Sequence, residues 1–231
     1  FQVSLDSVFF GWAMFTGFLL SVFMPLFFGA EYSDGAIRSK MASGHGRVSI
    51  YLANFLAGFA VALACSAVYM LASAAVGIPL IGWLTVDTTV LLLCVLGAVV
   101  MTASYCAILT LTVMLCSRKA AAAVLSMLTV LLLFAAAISV DGRLNAPPEI
   151  SSYSLSANGE IEDHLEPNPQ YLEGAARAAY EFAFDLLPAG QSIQYSNLSF
   201  VRPGRMMALS AALTALFTGT GIFLFRRKDL K

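Results

Sequence analysis

EYSDGAIRSKMASGHGR, residues Glu31 to Arg47, is a short polar stretch set between two long apolar runs, and the nature of those runs decides the fold. Ser33 reads as an N-cap, Asp34 as a first-turn acid, Lys40 as a last-turn base and Gly44 as a stop. Together these signals predict a helix over 34–43. A helix of about ten residues is marginal alone in water. Ile37 and Met41, four residues apart, give it one small apolar edge, and that edge needs something to dock on.

Working outward, hydrophobic residues make up 59% of the 231 and charged residues only 12%. Soluble domains hold roughly half apolar and a quarter charged residues, so this balance belongs to a membrane protein. The net charge is −1 and the basic residues are dispersed, with no stripe or run that would bind nucleic acid. Cys65, Cys94, Cys106 and Cys116 fall in or at the edge of apolar runs without C-x-x-C spacing, and His45 and His164 have no second histidine at ligand spacing. No metal site is expected.

A bilayer core about 30 Å thick asks for roughly 20 apolar helical residues. Five runs meet that length, at 8–30, 48–77, 88–116, 120–140 and 206–225, and none contains Asp, Glu, Lys, Arg or His. The expected fold is an all-α, polytopic helical membrane protein. Its membrane domain occupies 1–140 with the polar helix at 31–47, followed by an outer loop at 141–205 and a last span with a basic tail at 206–231.

Lys and Arg near span ends mark the cytoplasmic side. Arg38, Lys40 and Arg47, then Arg118 and Lys119, then Arg226, Arg227, Lys228 and Lys231 all fall on one side of the predicted topology. The other side holds the turn 78–87, without a basic residue, and the loop 141–205, with nine acids against four arginines. With 31–47 inside, the first run begins outside although only a few residues precede it. A further span ahead of Phe1 is therefore expected, making the five visible spans the second to sixth of six.

Within the outer loop, 141–166 is rich in Pro, Ser, Asn and acids, and Pro147-Pro148 and Asn158-Gly159 mark turns. Asn168-Pro169 reads as cap and first helical residue, and Glu173 as a first-turn acid. The predicted amphipathic helix covers about 169–187, lines Leu172, Ala176, Ala179, Ala183 and Leu187 along one face, and stops at Pro188-Ala189-Gly190. Such a helix packs over the mouths of the spans or lies in the interface, or else acts as an outer gate or substrate collar. In the second case Leu172, Tyr180, Leu187 and Pro188 are the gate residues.

Ion-coupled transport and intramembrane catalysis both draw on ionisable or nucleophilic groups at membrane depth. The five runs offer no ionisable side chain, and Ser66, Ser104, Thr110, Thr112 and Thr214 read as helix-packing hydroxyls. No G-x-x-x-x-G-K-[ST] phosphate loop is present either. Catalytic residues are not expected, and any work done by the chain would draw its energy from another subunit.

The ordered features then take on a family likeness. A long apolar span, then E-Y-x-D-G-A-I-R-x-K-x-x-x-G-x-x-R, then a span opening I-Y-L-A-N resembles the permease subunit of ABC transporters of the ABC-2 type. Glu31, Gly35, Arg38, Lys40, Gly44 and Arg47 match the pattern after the second span of such permeases. The segment Leu186-Leu187-Pro188-Ala189-Gly190-Gln191 before the last span and the basic ending from Phe225 to Leu230 agree with it. The likeness covers nearly the whole chain; the departure is the missing first span and the amphipathic elbow helix ahead of it.

The resemblance implies a half-transporter whose 31–47 segment is a coupling helix seated in a separate ABC ATPase, which would bind the ATP and Mg. A second permease subunit, identical or related, would complete the path in the cell membrane, and export of an amphipathic or hydrophobic substrate is expected. Arg38, Lys40 and Arg47 would supply polar contacts to the ATPase, Ile37 and Met41 an apolar seat, and Gly35 and Gly44 close backbone approach, with Glu31 at the head of the motif. The alternative is a non-transporting sensor or immunity subunit whose outer loop captures a ligand.

Overall fold

The computed structural model of the chain describes residues 5–155 and 161–228. It is an all-α bundle in which five helices are long and apolar enough to cross a membrane. In chain order the elements begin with α1 (Leu5–Phe9), α2 (Trp12–Ser33), α3 (Ala36–Ala42), α4 (Arg47–Ile81), α5 (Thr88–Leu115) and α6 (Lys119–Leu144). A two-stranded hairpin follows, β1 (Glu149–Leu155) and β2 (Ile161–Pro167), then α7 (Gly174–Leu186), α8 (Pro188–Ser196) and α9 (Pro203–Arg227). The membrane-length helices are α2, α4, α5, α6 and α9, the same five runs read from hydropathy.

The centre of the bundle is α5, which touches α2, α4, α6, α8 and α9. Every residue from Ser104 to Thr110 is buried, because a helix surrounded by other helices can be covered on every face. The outer helices are apolar on their exposed sides too: Leu56, Val68, Leu71 and Leu132 are each more than half exposed. That much bare aliphatic surface is untenable in water and ordinary against lipid. Ser66, Ser104, Thr110, Thr112 and Thr214 each donate to a carbonyl three or four residues back in their own helix, so they add no unpaired donor to the apolar layer.

The stretch read as turn-rich chain differs. Helix α6 continues past the end of its apolar run at Val140 to Leu144, and 149–155 pairs antiparallel with 161–167, Glu149 opposite Pro167. The Asn158-Gly159 turn lies outside the described residues. Asn168 does not cap a helix. Its carboxamide oxygen accepts from the Gln170 amide at 2.9 Å and its nitrogen donates to Pro147 O at 2.9 Å, closing the hairpin base in an Asx turn. The helix begins at Gly174, five residues after the predicted start.

Pro188-Ala189-Gly190 is not a stop. The chain bends at Leu187, which has extended backbone, and Pro188 opens α8 at its first turn, where a missing N–H costs nothing. All nine residues of α8 are buried. The helix packs on α5, α2 and α6, with Tyr195 against Gly97 and the Ser192 hydroxyl 3.2 Å from that of Tyr105. Tyr105 lies about 25 Å along α5 from Thr88 at 1.5 Å per residue. The segment therefore dips into the bundle among three membrane-length helices.

Candidate functional site at the basic end of the bundle

The segment 31–47 is an elbow. Ser33 ends α2 rather than capping α3, since the Asp34 amide still bonds to Ala30 O at 2.9 Å. Gly35, at φ 72°, then turns the chain in the left-handed conformation that lets the short α3 start immediately. At the other end Gly44, at φ 93°, closes a Schellman motif: its amide bonds to Met41 O and that of His45 to Lys40 O, at 3.0 and 3.1 Å. Both glycines have open space where a Cβ would stand, so each is used for its backbone angle and neither for close approach within this chain.

The elbow is fastened to the bundle. Ile37 is 2% exposed and joins Ile50, Tyr51, Met114 and Phe225 in a small apolar cluster, with Met41 packed on its edge. The apolar edge of the predicted helix has thus found its partner inside the chain, where α4, α5 and α9 meet. Ile37 is covered by this chain's own side chains. The Lys40 ammonium meets Glu31 Oε1 at 2.5 Å, bridging α3 back to the last turns of α2.

Arg47 also acts within the chain. One guanidinium nitrogen donates to the carbonyls of Phe225, Arg226 and Lys228 at 3.3, 2.8 and 2.7 Å, satisfying the C-terminal end of α9. The Lys228 ammonium does the same for α5, donating to Met114 O at 3.1 Å and Leu115 O at 2.9 Å. Burial of Lys228 lowers its pKa from the ordinary lysine value, against an opposing effect of the nearby Cys116. Of the residues assigned to the elbow, Arg38 is the charged side chain turned outward, beside exposed Ser39.

The α5–α6 turn and the end of α9 lie at this same end. A Cβ on Gly29 would meet Lys119, and Arg227 stacks over Phe223 at 4.2 Å. Arg38, Lys40, Arg47, Lys119, Arg226, Arg227 and Lys228 therefore share one end of the bundle. The opposite end holds the Ile81–Asp87 turn, where Asp6 accepts from the backbone and hydroxyl of Thr85, together with α7 and α8.

The predicted gate residues sit at that opposite end. Tyr180 and Leu187 are half-buried, Pro188 is buried at the start of α8, and Leu172 precedes α7. Of the predicted apolar face, Ala176 and Ala179 are exposed and Leu172, Ala183 and Leu187 half-buried, while Phe184 and Asp185 are buried and Arg177, Tyr180 and Glu181 are half-buried. α7 turns a charged face inward because partners await it. Asp185 binds Arg205 of α9, with Nε at 2.7 Å, and accepts from Gln194 Nε2 at 3.1 Å. Gln191 donates to Asp185 O and Met206 O and accepts from Ser210 at 2.7 Å.

Apart from Gln191, which closes the 186–191 segment, these polar residues were not singled out from sequence. Their only local signal is Pro188 followed by a short helical run, which reads equally as a stop. Beside them opens a cavity of about 390 Å³ lined by Asp141, Arg177, Glu181, Asp185, Arg202 and Arg205 among others.

No family model, no curated protein and no solved structure matches this chain.

Proposed function

We propose that this chain is the membrane permease subunit of an ATP-driven ABC-2 type transporter, working with a second permease copy in the cell membrane and exporting an amphipathic or hydrophobic substrate. The observation that carries the reading is the elbow. α3 stands between two membrane-length helices at the basic end of the bundle, held by two left-handed glycines, a buried Ile37 and a Lys40–Glu31 ion pair, with Arg38 and Ser39 outward. A knob so clamped cannot be displaced without moving α4 and α9. Positive-inside bias puts this end in the cytoplasm, where an ATPase carrying ATP and Mg would meet it.

Arg38 is the coupling contact in this reading, while Arg47 and Ile37 position the knob. The test is ATPase stimulation in a reconstituted complex of the chain with its cognate ATPase. Arg38→Glu with Ser39→Asp should leave insertion and thermal unfolding unchanged and reduce stimulation at least about tenfold, as loss of an interface arginine does. Undiminished stimulation would remove the reading. The cavity at the opposite end favours the alternative, a sensor or immunity subunit; a chain that binds its ligand there yet never engages an ATPase would establish it.

A further inference from the structure

We infer that the cavity between α6, α7 and the start of α9 binds the phosphate headgroup of a zwitterionic membrane lipid. The inference is independent of coupling to an ATPase, because it rests on the charges and the level of the cavity alone.

The charges leave an anion-shaped deficit. Glu181 is shared by two guanidiniums, Arg177 at 3.3 Å and Arg202 at 3.3 Å, and all three side chains are between a third and about half exposed. Arg205 is already matched with Asp185, whose other oxygen is taken by Gln194. Two cations around one carboxylate leave one positive charge and several N–H donors turned to the cavity, since each guanidinium carries five. A phosphate is the group that two such planar forks hold best.

The facing wall has the opposite sign. Asp141, on α6, accepts a bond from Asn145 at 3.0 Å and lines the same space. A headgroup that carries an ammonium beside its phosphate satisfies both walls; a doubly acidic one meets Asp141 as a like charge. Phe184 and Ile193 supply an apolar floor.

The level of the cavity selects lipid over a solute. On α6 the apolar run ends at Val140 and Asp141 follows, and on α9 Arg205 is followed by Met206 and the apolar run. Both helices pass from apolar to charged at the cavity. In a bilayer that transition falls at the depth of the phosphates, and the volume of about 390 Å³ lies in the range of ordinary small-ligand pockets.

The test is native mass spectrometry of the intact chain released from nanodiscs, with phosphatidylethanolamine, diacylglycerol of the same acyl chains, and inorganic phosphate as separate probes. Phosphatidylethanolamine should remain bound and diacylglycerol should not. Arg177→Gln with Arg202→Gln should weaken retention at least about tenfold, the loss expected for two charge-assisted contacts. Glu181→Gln frees both arginines and should tighten it, a gain that misfolding cannot produce. Equal retention of diacylglycerol, indifference to the arginine pair, or weaker binding in Glu181→Gln would overturn the inference. Arginine-dependent binding of inorganic phosphate without the lipid would also overturn it, by assigning the cavity to a soluble anion.

Discussion

The Arg47 guanidinium lies 2.7 Å from the carbonyl oxygen of Lys228, and the Lys228 ammonium in turn reaches the last carbonyls of α5. Two cations thus close the ends of two helices and chain α4 to α9 and α9 to α5. Helix C-termini leave carbonyls without partners, and a cation there answers both the hydrogen bonds and the dipole.

Arg47→Ala is expected to lower unfolding stability by about 1–3 kcal/mol, the range for bonds to a charged donor. Arg47→Lys should recover most of that, because all three contacts run to one guanidinium nitrogen and an ammonium offers three donors. Thermal unfolding in detergent measures both. A neutral Arg47→Ala would mean that the three carbonyls are equally well served by water.

Tyr51 and Gly221 make a second joint between α4 and α9. A methyl at Gly221 would overlap the Tyr51 hydroxyl and ring, and the ring is fully buried. Gly221→Ala should cost about 1–3 kcal/mol as overpacking does. Among the described residues the Tyr51 hydroxyl has no hydrogen-bond partner, so Tyr51→Phe should be neutral or slightly stabilising. The double variant should stay as unstable as Gly221→Ala, because the ring carbons still occupy the space. Rescue by Tyr51→Phe would contradict the packing described.

Ile37 makes a different prediction from Arg38. Ile37→Asp buries a carboxylate in the cluster of Ile50, Tyr51, Met114 and Phe225, and should destabilise the bundle by about 3 kcal/mol or more. Its failure would appear as lost protein, before any partner is added. Unfolding temperature and expression level separate it from Arg38→Glu, which should retain both.

Asp185→Ala should cost about 2–4 kcal/mol, somewhat below the range for breaking a fully buried pair because Arg205 keeps partial access to water. Asp185→Asn retains an acceptor for Gln194 and should cost less. If the two variants were equally damaging, the charge on Asp185 rather than its hydrogen bonds would be holding α7 to α9.

The membrane-length helices were legible because bilayer thickness imposes a length and an apolar content that each helix meets by itself. The elbow was legible for a similar reason, since Gly35 and Gly44 act through their own backbone neighbours. Its start was misplaced at Ser33, where the last turn of α2 outlasts the local capping preference. The inward face of α7 was missed because Arg177, Glu181 and Asp185 are tolerated there only by partners on other elements, including Arg202, Gln194 and Arg205. α8 was missed for the same reason: Gln191 is satisfied by Ser210 and by carbonyls six and fifteen residues away. Coupling partners leave still less trace, because exposed Arg38 reads the same whether it meets protein, lipid or water.

The burial of α8 also constrains biogenesis. PAGQSIQYS is too short and too polar to partition into a bilayer on its own, so it can settle only after α2 and α5 have met to form the slot that receives it. Freshly synthesised chains must therefore pass through a stage in which Gln191 to Ser196 are open to the aqueous phase, and the arrival of α9, bringing Ser210 and Arg205, is the event that latches them shut.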